Sequence, residues 1–382
     1  KLRGHSMNYI STRGHNCAVT SARAIIKGLA EDGGLFVPEN IPIIDEKFLT
    51  SLLDLSYQER AKKILSLYLT DFTAEEINQC VDNAYTTEKF DTDKIVPTEK
   101  VEKNNYLLEL WHGPTSAFKD MALQLLPQFI STSLKKLGDK DELVILVATS
   151  GDTGKAALDG FKNVDQTKIL VFYPQEGVSK IQRLQMLTQQ GDNVSVFAVK
   201  GNFDDAQSGV KQIFSDSKYN EYLNEKGFKL SSANSINWGR LLPQIVYYFS
   251  AYADLVNDKK ITMGDKVNFT VPTGNFGDIL AGFYAKCMGL PVNRLICASN
   301  SNNVLTDFLK TGTYDRNREF FKTISPSMDI LISSNLERLL YHITNDATKV
   351  KSYMEKLQST GCYQVDEATF KAIQETFSAG YL

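Results

Sequence analysis

The chain has little that would commit it to disulfide, metal or membrane chemistry. Its five cysteines, Cys17, Cys80, Cys287, Cys297 and Cys362, form no close pair and no metal-ligand spacing. That argues against a disulfide framework and reads as reduced, buried thiols of a cytoplasmic protein. The four histidines, His5, His15, His112 and His342, are scattered too widely for a zinc site. An excess of one charge is also missing, since 42 Lys and Arg stand against 45 Asp and Glu for a net charge of -3. No basic patch suggests nucleic acid, and no acidic run suggests disorder. The longest charge-poor helical stretch, Leu241 to Ala253, is too short and too polar to cross a bilayer. Residues 1–6, ahead of Met7, read as a cloning remnant and not as a targeting segment.

What the chain does have is length, because 382 residues suffice for two or three domains and a large core. Up to about Lys103 the pattern is mainly helical. Ala22 to Ala30 reads as a helix, and Asp32-Gly33-Gly34 turns tightly into Leu35-Phe36-Val37. Apolar residues at helical spacing from Phe48 to Tyr68 predict two packed helices, and Thr73 with Glu76 predicts a capping box for a third, running to about Tyr85. Beyond Tyr106 short apolar runs alternate with helical patterns. The runs are Leu143 to Ala148, Ile169 to Tyr173, Val194 to Val199, Val267 to Val271 and Leu295 to Ala298, with helices such as Lys180 to Gln190 and Phe203 to Asp216 between them. Such alternation predicts parallel sheets with helices on both faces and ligands at the carboxyl ends of strands.

The stretch His112-Gly-Pro-Thr-Ser-Ala-Phe-Lys-Asp120 follows an apolar run, Tyr106 to Leu110, that reads as a buried strand. Gly113 and Pro114 end the strand, Ser116 is placed to cap a helix starting just after it, and Lys119 then falls in the first turn. A cation there opposes the positive end of the helix dipole, which favours the neutral, nucleophilic amine. Holding a lysine of pKa about 10.4 neutral near pH 7 asks the site for roughly 4 to 5 kcal/mol. Condensation with an aldehyde cofactor is one use for such an amine. A surface lysine snorkelling from a helix start is the other reading of the same residues.

Three further motifs sit in strand-to-helix loops. Thr149-Ser150-Gly151-Asp152-Thr153-Gly154-Lys155 resembles a nucleotide P-loop only superficially, lacking a glycine where Thr149 stands and a hydroxyl where Ala156 stands. What remains is a turn of small residues at a helix start, suited to a carboxylate or simply to turning the chain. In Ser232-Ala-Asn234-Ser235-Ile-Asn237-Trp-Gly-Arg240, three cap-type residues and an arginine exceed what one helix cap needs, and Arg240 offers a planar charged fork for a phosphate. Thr273-Gly274-Asn275-Phe276-Gly277-Asp278 combines two glycines with a helix start, which suits a phosphate cradle.

Taken in order, Glu109 to Asp120, Thr149 to Gly154, Ser232 to Arg240 and Thr273 to Asp278 resemble the threonine synthase family, of the longer bacterial and fungal type. Asp32-Gly-Gly-Leu-Phe-Val-Pro38 and Ser325-Pro-Ser-Met-Asp-Ile330 add to the likeness at either end. The resemblance implies an α/β protein of pyridoxal-phosphate fold type II, the tryptophan synthase β-like group, two-lobed with mainly parallel sheets plus an N-terminal mostly helical domain. It implies a division into residues 7–103, a lobe over 104–230 and a second lobe over 231–382. The implied cofactor is pyridoxal 5'-phosphate, on Lys119, with Asp152 near its ring and Gly274, Asn275, Phe276, Gly277 and Asp278 at its phosphate. Asp152 departs from the Asn that many related enzymes carry. Thr149, Ser150, Gly151, Thr153, Lys155, Asn234, Ser235, Asn237 and Arg240 would line the substrate site, with Ser325-Pro326-Ser327 closing over it.

The implied reaction converts O-phosphohomoserine and water to threonine and phosphate, the last step of threonine biosynthesis, in a cytoplasmic monomer or homodimer. Lys119 would act as base at the α and β carbons. Enzymes of this fold group place a Ser or Thr against the pyridine nitrogen from a loop near the C-terminus. No such segment is recognisable after Asp366, so the chain is expected to be shortened at that end. The alternatives are another fold type II dehydratase or synthase, a threonine-synthase-like protein that binds cofactor or phosphate without turnover, and a phosphate-binding scaffold with no cofactor.

Overall fold

A computed structural model of the chain describes residues 6–381 except Asn16, Gly177 and Asn202. The expected cloning remnant therefore lies, apart from Ser6, outside the described residues. The chain opens with β1 (Tyr9–Ser11), α1 (Ser21–Lys27) and β2 (Phe36–Pro38), followed by short α2 (Glu46–Thr50) and the packed pair α3 (Tyr57–Ser66) and α4 (Ala74–Ala84). A hairpin of β3 (Thr98–Glu102) and β4 (Asn105–Leu108) leads to α5 (Asp120–Leu123) and α6 (Leu126–Leu137). Alternation follows as β5 (Glu142–Ala148), α7 (Asp152–Phe161), β6 (Thr167–Pro174), α8 (Lys180–Leu187), β7 (Val194–Val199), α9 (Phe203–Ser215), α10 (Ser217–Glu225) and β8 (Phe228–Ser232). Helix α11 (Trp238–Asn257) precedes β9 (Val267–Pro272), α12 (Gly277–Met288), β10 (Val292–Ser299), α13 (Val304–Thr311) and β11 (Thr313–Asp315). A 3-10 turn at Pro326–Met328, then α14 (Leu336–Thr344), α15 (Ala347–Ser359), β12 (Cys362–Gln364), α16 (Glu367–Thr376) and β13 (Phe377–Tyr381) complete the described chain.

Two compact units result. The first comprises Thr20–Gly28 and Ser56–Pro243, and the second gathers most of the chain up to Val19, Leu29–Leu55 and the chain from Gln244 onward. These units cut the chain differently from the division expected at 103 and 230. The change of pattern near residue 104 marks a change of secondary structure, not the edge of a unit: 20–28 and 56–103 cluster with the first unit, and 29–55 with the second.

In the first unit a four-stranded parallel sheet runs in the order β7-β6-β5-β8. Central β5 reads Glu-Leu-Val-Ile-Leu-Val-Ala and is largely buried, as a strand covered on both faces should be. Helix α6 begins with Pro127 in its first turn and ends on Gly138 in the left-handed conformation, the usual asymmetry of helix ends. Helix α4 carries the expected capping box, in which the Thr73 hydroxyl accepts from the Glu76 N–H at 3.2 Å and the Glu76 carboxylate accepts from the Thr73 N–H at 2.7 Å. Thr73→Ala is expected to cost about 1 kcal/mol in a urea melt. An unchanged midpoint would show the cap to be idle.

The second unit holds the parallel sheet β13-β10-β9, with β10 in the middle. Its N-terminal segment is bound to it over a long sequence separation. The Glu337 carboxylate accepts from the Thr12 hydroxyl at 2.6 Å and from two Arg13 guanidinium nitrogens at 2.8 Å each. One strand differs from expectation: the run Tyr106 to Leu110 is not a buried strand but half of an antiparallel hairpin with alternating exposure, and Leu107 is 45% exposed. Periodicity cannot separate a short buried run from an edge ribbon. Among the described residues no helix is long and apolar enough to cross a membrane.

Candidate functional site

In the first unit, the turn after β4 is built around Asp120 and not around Ser116. Ser116 adopts a positive φ of 55°, makes no cap, and the helix starts only at Asp120. Asp120 is buried and accepts from the Thr115 N–H at 2.8 Å and the Thr115 hydroxyl at 2.6 Å, closing the turn on itself. Gly113 is needed there, since a Cβ on it would stand 2.6 Å from the Asp120 Cβ. At the entry to the turn the His112 ring bridges Asp91 at 2.5 Å and Glu109 at 2.8 Å. Burial pulls the His112 pKa down, but the two carboxylates outweigh it and raise the value.

Burial pushes the Asp120 carboxyl up from 3.8 to about 6, against the pull of the two Thr115 hydrogen bonds. With the folded value above the unfolded one, Asp120 favours the folded state most below about pH 4 and loses that contribution as pH rises through about 6. Relative to Asp120→Asn, the unmodified protein should therefore lose roughly 2 to 3 kcal/mol between pH 4 and pH 7. Parallel stability profiles for the two proteins in urea would contradict this.

Lys119 stands one residue ahead of the four-residue α5, outside the first turn expected for it. So short a helix has little dipole, and the electrostatic opposition inferred from sequence does not arise. The lysine instead has a counter-ion, because its Nζ lies 2.5 Å from Asp152 Oδ2 in a pair whose side chains are only 9% and 12% exposed. The ammonium also sits 4.7 Å from the centroid of the Phe118 ring. Asp152 is the first residue of α7, directly beyond the loop that leaves β5, so the sheet sets the position of the carboxylate.

That loop spends part of its donors on itself. The Thr149 hydroxyl accepts from the N–H groups of Gly151 at 2.9 Å and Gly154 at 2.8 Å, and Asp152 Oδ1 accepts from the Thr153 N–H at 2.7 Å. The hydroxyls of Ser150 and Thr153 are half-buried beside them, and neither has a partner among the described residues. Lys155 points elsewhere, to the side-chain oxygen of Gln189 and toward Asp159 at 3.9 Å. Burial lowers its pKa, while Asp159 and Asp120 oppose the shift.

The 232–240 segment also differs from expectation. Asn237 is fully buried, donates to the carbonyls of Ile25 at 2.9 Å and Ser232 at 3.0 Å, and accepts from the Gly239 N–H at 2.9 Å. It therefore caps α11 and ties it to α1. Arg240 is 3% exposed and donates to the Ala233 carbonyl at 2.5 Å, within its own loop. With Lys155, two more of the residues expected to line the substrate site thus bond to protein in this structure. Asn234 and Ser235 remain half-buried in the loop, the Asn234 N–H bonded to the Ser232 hydroxyl at 3.1 Å.

In the second unit, β9 ends at Pro272 and the chain turns through Thr273–Phe276 into α12. Phe276 holds a φ of 63°, unusual for a bulky residue and a strain of about 1 to 3 kcal/mol. Its ring is buried against Phe377, 5.5 Å between centroids, which compensates for the backbone. Among the described residues the N–H groups of Gly274, Asn275, Phe276 and Gly277 have no hydrogen-bond acceptor. Four such donors at the start of a twelve-residue helix make an anion cradle.

Sequence reading missed what braces this cradle. The Ser333 hydroxyl donates to the Gly274 carbonyl at 2.7 Å, and Asn335 donates its N–H at 3.0 Å and its Nδ2 at 3.1 Å to the Asn275 carbonyl. Asp278, expected at the phosphate, gives its carboxylate to the hydroxyls of Tyr247 at 2.6 Å and Tyr248 at 2.8 Å from α11. Hydrogen bonds there keep a negative group occupied beside an anion site. A pair of adjacent tyrosines in a long apolar helix was the one signal for it in the sequence.

Comparison with known proteins gives a consistent result. Residues 8–85 match the family described as "Threonine synthase N terminus". The chain is 43% identical over 371 residues to threonine synthase-like 1 of Homo sapiens, covering 94% of this chain and 49% of that protein. It is 40% identical over 375 residues to threonine synthase of Pseudomonas aeruginosa, covering 98% and 77%. The crystal structure of pyridoxal-phosphate-bound threonine synthase from Brucella melitensis superposes with a TM-score of 0.90 at 41% identity, covering 98% of this chain and 78% of that one. The chain thus spans about half the length of the first relative and about three quarters of the threonine synthases.

Proposed function

The chain belongs to the threonine synthase family and has its fold type II architecture, and from that premise we propose that it is a pyridoxal-phosphate-dependent lyase that makes threonine and phosphate from O-phosphohomoserine and water. The observation that carries the cofactor is the cradle at Gly274–Gly277, whose four N–H groups are unspent within the described residues at the start of α12. That donor set fits a phosphate monoester, and buried Lys119 fits its aldehyde.

Each residue then has a physical task. The cradle holds the cofactor phosphate through backbone donors. Lys119 Nζ would hold the cofactor's aldehyde carbon, and the same amine would move protons at the substrate α and β carbons. Asp152 orients that amine and balances its charge at 2.5 Å. When bound, the cofactor supplies the electron sink for charge developing beside the substrate amine. The hydroxyls of Ser150 and Thr153, on a turn already shaped by Thr149, take the substrate carboxylate. Phosphate leaves from the γ carbon, that carbon takes up a proton to become the methyl group, and water adds across the β position, its oxygen going to the β carbon.

The test is a visible absorption titration with pyridoxal phosphate, borohydride reduction with peptide mapping, and assay of phosphate and threonine from O-phosphohomoserine. Label on Lys119 with both products formed is the expected result. A second reading, cofactor binding without turnover, is kept beside it because one relative at 43% identity is named threonine synthase-like 1 and not threonine synthase. Lys119 labelling with no phosphate release would establish it.

A further inference from the structure

The segment Ser325-Pro-Ser-Met-Asp-Ile330 has no role in the chemistry above, yet it is tied down more thoroughly than its surroundings require. Asp329 gathers four donors. Its Oδ1 accepts from Asn300 Nδ2 at 2.8 Å, Asn302 Nδ2 at 3.0 Å and the Thr323 hydroxyl at 2.7 Å, and its Oδ2 accepts from the Thr323 N–H at 3.0 Å. Asn300 also donates to the hydroxyls of Thr323 at 3.0 Å and Ser325 at 2.9 Å. Asn302 pairs with the Phe321 backbone in both directions, donating to its carbonyl at 2.8 Å and accepting from its N–H at 2.9 Å.

Asn300 directly follows β10, so these bonds moor the segment to the carboxyl end of the central strand of the second sheet. Burial of the residues leading into it does not hold it there, because Phe320, Phe321 and Ile324 are 49%, 44% and 104% exposed and 325–330 are only half-buried. The polar knot does. The moored segment lies against the cradle: a Cβ on Gly274 would stand 3.1 Å from both the Ser327 carbonyl oxygen and the Met328 Cα. Gly274 lacks a side chain because backbone passes over it, and its carbonyl is held by Ser333.

We propose that Asp329 is a positioning residue for cofactor phosphate, holding Ser325–Met328 against Gly274 so that the cradle's N–H groups keep the orientation an anion needs. The inference rests on the pyridoxal-phosphate reading. It predicts an effect specific to the phosphate, since the knot touches nothing that would grip the ring or aldehyde.

The test compares pyridoxal phosphate with pyridoxal, which lacks the phosphate, in titrations of the unmodified protein, Asp329→Asn and Thr323→Val. Thr323→Val removes one strand of the knot without placing an amide among its donors, and so serves if the first variant does not fold. Both variants are expected to raise the Kd for pyridoxal phosphate about tenfold while changing that for pyridoxal by less than about twofold. Hydrogen exchange in residues 316–332 should slow on cofactor binding in the unmodified protein and much less in the variants. Equal weakening of both ligands, or no weakening of either, would overturn the inference. An unmodified protein that binds neither ligand would instead overturn the functional reading, and this inference with it.

Discussion

Lys119→Ala is expected to lower phosphate release from O-phosphohomoserine by about 10³-fold or more, because on the proposed reading it would remove both the cofactor's covalent anchor and the base. It should also lower stability. Lys119 and Asp152 are paired at 2.5 Å with side chains 9% and 12% exposed, so the substitution leaves a largely buried carboxylate without its counter-ion. Breaking such a pair costs about 3 kcal/mol. The loss is tempered because Asp152 keeps the Thr153 N–H. The two effects are separable in the double variant Lys119→Ala with Asp152→Asn. Removing the orphaned charge should recover most of the lost stability while activity stays absent. If the double variant were as unstable as the single one, Lys119 would be contributing packing and not charge balance.

Gly160→Ala should have the largest effect of any conservative change away from the reacting groups. Gly160 lies in α7, and a Cβ added there would overlap the carbonyl oxygen of Leu123 in α5. Alanine in a helix interior is favoured over glycine by about 1 kcal/mol. Overpacking against backbone costs about 3 kcal/mol, since a carbonyl has no rotamer to escape into. The clash wins, for a net loss of roughly 2 kcal/mol. Because α5 begins beside Lys119 and α7 begins at Asp152, separating the helices also lengthens the ion pair. Activity should therefore fall by more than stability alone explains. A Gly160→Ala protein with unchanged thermal midpoint and turnover would show that the helices part freely.

The features legible in the sequence are those whose causes are local. Thr73 and Glu76 stand three residues apart, and the capping box they spell is present. The run Val194–Val199 is a strand with those limits, because a short apolar run bounded by polar turns leaves little else for it to be. The order of the four motifs was legible too. What was not legible depends on partners distant in sequence. The counter-ion of Lys119 lies 33 residues away, and the cradle is braced from residues 333 and 335, about 60 residues away. Asn237 carries polar groups that look available to a ligand until the carbonyls of Ser232 and Ile25 are seen to use them, and the Ala233 carbonyl takes one guanidinium nitrogen of Arg240. Strand β13 was missed because Phe-Ser-Ala-Gly-Tyr, although Phe377, Ala379 and Tyr381 alternate with Ser378 and Gly380, is short and holds a glycine, and its parallel pairing with β10 makes it a strand.

The bonds from Thr12 and Arg13 to Glu337 join positions 325 and 324 residues apart, and this has a consequence for how the protein is made. A ribosome adding about 5 to 20 residues per second needs roughly 16 to 65 s to travel from one partner to the other. The first unit contains nothing later than Pro243 and can close while synthesis continues. The N-terminal strand pair belongs to the second unit, and its carboxylate partner is translated only after the whole first unit. Throughout that interval the nascent chain carries an Arg13 without its Glu337 carboxylate and a strand pair without the rest of its unit, and the pace of translation sets how long chaperones must shield them.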